Sequence, residues 1–387
     1  MVLWFPGPQS FTGEDSAEFQ VHGSRAVIAA LHSAFACFPG VRSAEPGEFT
    51  RRAFLAGKMD LTEVEGLADL LVAETEAQRR QAQEQSSGSL HRLYDSWRAR
   101  LIRARALIEA DLDFADEEDV PGSVVETAFE EIARLRSEIE VHLADANRGE
   151  RLRDGFQVVL LGAPNAGKSS LLNALAARDV AIVTAEAGTT RDLLEVHLDI
   201  GGYPVTIVDT AGLRDGGGAI EREGMRRAID RSHGADLVLW LEPRGDGPGA
   251  GPEATGAATE TWVVESKCDL PGVPIVAAGE GDPVIRHRVS VVTGEGLFGL
   301  IEGLGEAVER AFGGEEGSVG RPSRERHRAG ISDMLRLISS VEAVRGEGLE
   351  IVAECLRLAS EDLGRLTGRI GVEDLLDEVF GSFCIGK

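Results

Sequence analysis

Gly162-Ala163-Pro164-Asn165-Ala166-Gly167-Lys168-Ser169 comes directly behind the apolar run Val158-Val159-Leu160-Leu161 and ahead of a helical pattern from Ser170 to Ala176. Its spacing is G-x-x-x-x-G-K-[ST]. Strand, tight glycine turn and helix start are the context such a loop needs, because successive backbone N–H groups and the helix N-terminus must converge on phosphate oxygens. Lys168 is placed to reach the β- and γ-phosphates, and the Ser169 hydroxyl to coordinate Mg²⁺. A bland glycine turn requires neither residue at this spacing, so the stretch implies a bound nucleoside triphosphate.

Outward from this loop, residues 155–313 alternate strands and helices. Val158–Leu161, Val205–Val208, Leu237–Leu241, Trp262–Val264 and Arg288–Val291 are the strand candidates, which predicts a doubly wound, mostly parallel α/β sheet. Residues 59–154 are predicted helical: Leu90, Leu93, Tyr94, Trp97, Leu101 and Ile108 recur at three- and four-residue steps, a core-packing stripe. Residues 314–387 return to helix, with Leu335, Ile338, Val341, Ile351, Leu356 and Leu363 on helical spacing. Each helical segment has an apolar stripe that needs cover, so the two are expected to pack together, with the nucleotide domain inserted between them. Residues 1–58, with Pro and Gly between short apolar segments, read as a small α+β domain. It opens abruptly on Val2-Leu3-Trp4-Phe5, an inner-strand pattern without a preceding partner, and is expected to be partial.

Three further segments carry chemistry. Asp209-Thr210-Ala211-Gly212 follows a strand at the right distance behind the phosphate loop, placing a carboxylate near Mg²⁺ and a glycine N–H near the γ-phosphate. Gly188-Thr189-Thr190-Arg191-Asp192 supplies a threonine hydroxyl for Mg²⁺ in a loop able to order around that phosphate. Ser266-Lys267-Cys268-Asp269 follows the apolar strand at 262–264. A carboxylate at Asp269 accepts from both N1–H and the 2-amino group of guanine, which adenine does not present, so guanine is the expected base. GTPases usually have Asn where Ser266 stands. The lost amide is expected to remove a link between this loop and the phosphate loop and to weaken GTP binding by about 1–2 kcal/mol. Ser290-Val291-Val292 occupies the place of a turn that touches the base. Leu213 stands where Ras-like proteins use a water-orienting Gln. Another group must therefore place the water and neutralise charge, with Arg214, Glu221 and a monovalent cation at Asn165 as the candidates.

The chain has 387 residues, enough for two or three domains, and a formal net charge of −25, which argues against a uniformly basic nucleic-acid binder. Cys37, Cys268, Cys355 and Cys384 are far apart and have no zinc spacing, as expected of a reduced, cytoplasmic protein. No apolar run approaches a membrane span and no secretory leader pattern opens the chain, so no membrane association is expected.

The whole chain resembles the MnmE (TrmE) family of tRNA-modification GTPases. The resemblance rests on Leu3-Trp4-Phe5-Pro6-Gly7-Pro8, Ser10-Phe11-Thr12-Gly13-Glu14-Asp15, Pro46-Gly47-Glu48-Phe49, Arg52-Ala53-Phe54-Leu55, the phosphate loop, Gly188 to Asp192, Asp209 to Arg214, and the terminal Phe383-Cys384-Ile385-Gly386-Lys387. It implies a folate-binding and dimerising N-terminal domain, a helical domain and an inserted G domain. It also implies GTP-dependent attachment of a carboxymethylaminomethyl or aminomethyl group to C5 of the wobble uridine (position 34) of certain tRNAs. The partner would be the FAD-containing MnmG, in a heterotetramer with the homodimer. The nucleotide-contacting set would be Asn165, Ala166, Gly167, Lys168, Ser169 and Ser170; Thr184, Ala185, Glu186, Ala187, Gly188, Thr189 and Thr190; Asp209, Thr210, Ala211 and Gly212; Ser266, Lys267 and Asp269; and Ser290, Val291 and Val292. Mg²⁺ would be held by Ser169 and Thr190, and K⁺ by Asn165, Thr184, Glu186 and Thr189. Glu221 would position the hydrolytic water through an intermediary, which accommodates Leu213. Glu18, Lys58 and Lys387 match positions that bind a one-carbon tetrahydrofolate (5,10-methylene or 5-formyl), and Cys384 matches a cysteine needed for tRNA modification. The family's glycine-rich opening segment does not precede Val2 here. A GTP-gated RNA or ribosome assembly factor and a degenerate paralogue with a reduced folate domain are the rival readings.

Overall fold

The computed structural model describes residues 1–113, 123–163, 165–178, 180–182, 194–209, 234–244, 260–270, 285–313, 320–371, 376, 379–380 and 383. The chain divides into two compact units, one of residues 1–72, 80–149 and 317–387, the other of residues 73–79 and 150–316.

In the first unit a two-stranded antiparallel sheet, β1 (Val2–Phe5) and β2 (Ser16–Phe19), pairs Leu3 with Glu18. Helices α1 (Arg25–Phe35) and α2 (Glu48–Leu55) follow, then α3 (Leu61–Val72), α4 (Glu76–Ser86) from residue 80 on, α5 (Ser89–Asp113) and α6 (Ser123–Asp154) as far as residue 149. Asp60 and Glu63 start α3 as a reciprocal capping pair. The Glu63 N–H donates to Asp60 Oδ1 at 2.8 Å and the Asp60 N–H to Glu63 Oε2 at 2.7 Å, which satisfies two N–H groups that the helix leaves unpaired. The stripe expected on α5 is its buried face: Leu90, Tyr94, Trp97, Leu101 and Ile108 pack against Leu135 and Ile139 of α6.

The second unit holds a six-stranded sheet in the order β4-β5-β3-β6-β7-β8. Its strands are β3 (Phe156–Gly162), β4 (Leu194–Ile200), β5 (Tyr203–Asp209), β6 (Leu237–Pro243), β7 (Glu260–Ser266) and β8 (Arg286–Arg288), with α7 (Lys168–Ala176) after β3 and α8 (Leu297–Phe312) at the end. Strands β5, β3, β6, β7 and β8 run parallel, and β4 lies antiparallel on the edge. Both faces of β3 are buried. Val158 and Leu160 join the core shared with α7 and α8, while Val159 and Leu161 pack with Val238 and Trp240 on the other face. This burial is why β3 reads as a continuous apolar run.

Two strand expectations need correction. The last strand covers residues 286–288, and Ser290 to Thr293 form a turn rather than its end. β4 was not expected at all. Glu195, His197 and Asp199 alternate with apolar residues there, the pattern of a half-covered edge strand. The two-residue connection to β5 is Gly201-Gly202, with φ of 63° and 88°, the pair of positive angles that a type I′ hairpin demands.

Back in the first unit, α9 (Glu325–Val344) and α10 (Leu349–Leu366) return to the α5 core, so the helices before and after the inserted domain share one interior, with Ile331, Met334, Leu356 and Leu363 in contact with the α5 stripe's cluster. A buried ionic knot ties α9 to α3. Glu65 is 1% exposed, accepts from Arg326, and lies 2.8 Å from His327 Nε2. Burial alone would push its carboxyl up, but His327 and Arg326 hold it well below the usual carboxylate range. Near the C-terminus, Leu376, Phe380 and Phe383 pack on Leu61 and Val64. Gly47 allows this approach, because a Cβ there would lie 2.7 Å from the carbonyl oxygen of Phe380. Among the described residues no helix is long and apolar enough to cross a membrane.

Candidate nucleotide-binding site

The site is built at the carboxyl ends of β3, β5 and β7, where a doubly wound sheet presents its loops. After Gly162 the chain turns through Asn165, which is exposed and left-handed at φ 59°, and the buried Ala166, then enters α7 at Gly167. Lys168 folds back over its own loop, its Nζ donating to the carbonyls of Gly162 at 2.8 Å and Ala163 at 2.9 Å. Partial burial lowers its pKa, an effect that the Asp209 carboxylate opposes. Ser170, one residue into α7 beyond Ser169, is exposed.

Asp209 ends β5 beside β3, paired with Leu160, and is fully buried. Ser169 Oγ donates to its Oδ2 at 2.7 Å. A hydroxyl and a carboxylate oxygen so placed are hard donors of the kind Mg²⁺ takes, so the pair fits a magnesium ion carried by nucleotide phosphates.

The base loop leaves β7 at Ser266. Its hydroxyl donates to the carbonyl of Ala166 at 2.6 Å, so the expected loss of a link to the phosphate loop is corrected: the shorter side chain still reaches. Lys267 adopts φ 59°, and Asp269 accepts a 2.7 Å hydrogen bond from Ser290 Oγ. Val291 is partly buried against the sheet core, whereas Val292 is exposed. Arg244, the first residue after β6, was missed from the sequence. Its Nη1 donates to the Cys268 carbonyl at 2.8 Å, and its backbone N–H to that of Ser266 at 3.0 Å. The available signal was its place at the end of the strand adjoining the base loop, at the head of a glycine-rich stretch.

Thr184, Ala185, Glu186, Ala187, Gly188, Thr189, Thr190, Thr210, Ala211, Gly212, Arg214, Glu221, Cys384 and Lys387 lie outside the described residues. Of the folate candidates, Glu18 is exposed on β2, and Lys58 donates from Nζ to the Pro8 carbonyl.

Comparison with known proteins decides what this site belongs to. The model of the MnmE helical domain matches residues 61–384, and that of the GTP-binding protein TrmE N-terminus matches residues 1–58. The chain belongs to the MnmE family. It is 52% identical over 390 residues to the tRNA modification GTPase MnmE of Parvibaculum lavamentivorans, covering 100% of this chain and 86% of that protein. With the MnmE of Rhizobium etli it shares 52% identity over 387 residues, again across 100% of this chain and 86% of the relative. With that of Brucella canis the identity is 50% over 390 residues, across 100% and 85%. As an MnmE-family protein the chain is a GTP hydrolase acting in tRNA modification, with a P-loop G domain inserted in a helical domain behind a TrmE-type N-terminal domain.

Proposed function

We propose that this chain is a potassium-activated GTPase which works, as a homodimer and with FAD-containing MnmG, to install a carboxymethylaminomethyl or aminomethyl group at C5 of the wobble uridine of certain tRNAs. A one-carbon tetrahydrofolate would supply the carbon, at Glu18, Lys58 and Lys387, and Cys384 would serve the modification chemistry. The observation that carries the nucleotide part is the pair of contacts at the two ends of the site: Ser169 on Asp209 at the metal end and Ser290 on Asp269 at the base end. Mg²⁺ would be held at Ser169 and Thr190, and K⁺ at Asn165, Thr184, Glu186 and Thr189, neutralising charge that develops on the phosphates. Asn165 supports this part of the reading, since it is exposed at the lip of the phosphate loop with a side-chain carbonyl to offer. Glu221 would place the water, with Arg214 beside it as a second source of charge stabilisation. Residues 155–313 would act as the G domain, 59–154 and 314–387 as the two helical halves, and 1–58 as the folate domain. The protein would work in the cytoplasm, where its tRNA substrates are.

The test is steady-state GTP hydrolysis in potassium chloride and in sodium chloride at equal ionic strength, with nucleoside analysis of tRNA from cells whose own copy is replaced by this chain. Strong potassium stimulation and restored C5-modified uridine are expected. Equal, slow hydrolysis in both salts would overturn the potassium mechanism, and unmodified tRNA beside normal hydrolysis would overturn the role in wobble chemistry.

A further inference from the structure

The base loop contains one residue whose chemistry differs from what a guanine site ordinarily offers, and its hydrogen bonds are explicit. Ser266 is 5% exposed, and its hydroxyl stands 2.6 Å from the Ala166 carbonyl and 3.4 Å from that of Glu242. Both neighbours are acceptors, and a serine hydroxyl has a single proton to give. That proton is committed to the backbone. Releasing it would leave the Ala166 carbonyl buried without its donor, which costs more than a neutral hydrogen bond to a ligand returns.

The place of this residue sets the consequence. With Asp269 holding the N1–H and 2-amino edge of guanine, the imidazole half of the purine lies toward the ribose and so toward the phosphate loop. Ser266 is the base-loop side chain at that end, since it is the one bonded to Ala166. The group that the imidazole half presents there is N7, an acceptor that needs a donor. An amide at position 266 has two N–H groups, one for the Ala166 carbonyl and one to spare. A hydroxyl has none to spare. There is also room beside it, because a Cβ built on Gly167 would meet, among the described residues, only Ser266 Oγ within 4 Å, at 3.9 Å.

We infer that Ser266 serves as a strut between the base loop and the phosphate loop and leaves the N7 edge of guanine unread, so that base selection falls on Asp269 and its brace Ser290. This rests on the reading of Asp269 as the residue that holds guanine.

The experiment is calorimetric binding of GDP, 7-deaza-GDP and IDP to the full-length chain with Mg²⁺. The wild-type chain should bind 7-deaza-GDP within about twofold of GDP, and IDP, which lacks the 2-amino group, at least about tenfold more weakly. Ser266→Ala should weaken GDP and 7-deaza-GDP by the same factor, leaving their ratio unchanged, as a strut requires. Ser266→Asn should gain about fivefold for GDP and not for 7-deaza-GDP. A wild-type preference of about fivefold or more for GDP over 7-deaza-GDP, alongside a preserved preference over IDP, would overturn the role of Ser266 while leaving Asp269 in place. Equal binding of GDP and IDP would instead remove Asp269 as the guanine reader, and this inference with it.

Discussion

Ser290 Oγ donates to Asp269 Oδ1 at 2.7 Å, across the gap between the turn after β8 and the loop after β7. The carboxylate proposed to read guanine is thereby held by a residue 21 positions further along the chain. Its orientation depends on two loops keeping their spacing. Ser290→Ala should lower GTP affinity about fivefold, the worth of one neutral hydrogen bond, and leave the much weaker ATP binding unchanged. Competition binding with both nucleotides checks this.

Asp269→Asn should do more, because an amide cannot accept from N1–H and the 2-amino group together. GTP affinity should fall by about two orders of magnitude or more, while xanthosine triphosphate, whose C2 carbonyl accepts from the new amide, should gain. Unchanged GTP binding in this variant would mean that the base is read elsewhere.

At the metal end, Ser169→Ala and Asp209→Asn each remove one oxygen donor from the 2.7 Å pair. Both should raise the Mg²⁺ concentration needed for half-maximal hydrolysis and cut the maximal rate by on the order of a hundredfold, as expected where a metal supplies several kcal/mol of charge stabilisation. A magnesium titration of the GTPase rate distinguishes this from a folding defect, which would lower the rate without moving the midpoint.

The ionic knot of the first unit should be costly to untie. Glu65→Ala leaves Arg326 and His327 beside an empty buried position and should destabilise the unit by about 3–5 kcal/mol, whereas Glu65→Gln, which keeps an acceptor, should cost less. Urea unfolding followed by circular dichroism gives the difference. Loss of less than about 1 kcal/mol in Glu65→Ala would show that the knot contributes little net stability.

A pH dependence follows from His142, packed against Trp97 with its Nε2 3.2 Å from the Tyr94 hydroxyl. Burial, reinforced by the nearby His327, lowers its pKa to about 4. In the unfolded chain it titrates near 6.5, so between these values the unfolded state binds the extra proton. Stability is therefore complete above about pH 6.5 and is lost as pH falls toward 4, by about 3 kcal/mol in all. Thermal unfolding at pH 7.5 and 5 should differ in the wild-type chain and less so in His142→Gln.

The parts of this molecule that could be read in sequence are those whose physics is local. The phosphate loop announces itself because its glycines, Lys168 and Ser169 lie within eight residues, and β3 because burial on both faces leaves Val158 to Leu161 without a polar position. The α5 stripe was equally plain, since a helix writes its buried face at three- and four-residue steps. What stayed hidden depends on residues far apart. β4 carries a polar side chain at every second position because it lies on an edge, so its strand character emerges from the pairing with β5. Ser266 reads in sequence as a simple loss, whereas in the fold its hydroxyl reaches a carbonyl 100 positions earlier in the chain. Glu65 and Arg326 are separated by 261 residues, and nothing in the surroundings of either one in sequence names the other.

The β4–β5 hairpin has a mechanical consequence for catalysis. Its last rung pairs Leu194, the first described residue after the threonines proposed for K⁺ and Mg²⁺, with Asp209, the last described residue before Glu221, so these two positions stand side by side on one ladder. The Gly201-Gly202 turn closes the ladder's far end, six residues away along each strand. Lengthening that turn should be harmless, whereas one residue added within either strand would shift the pairing and turn Leu194 or Asp209 to the opposite face. The hairpin thus acts as a clasp that keeps Leu194 and Asp209 opposite each other.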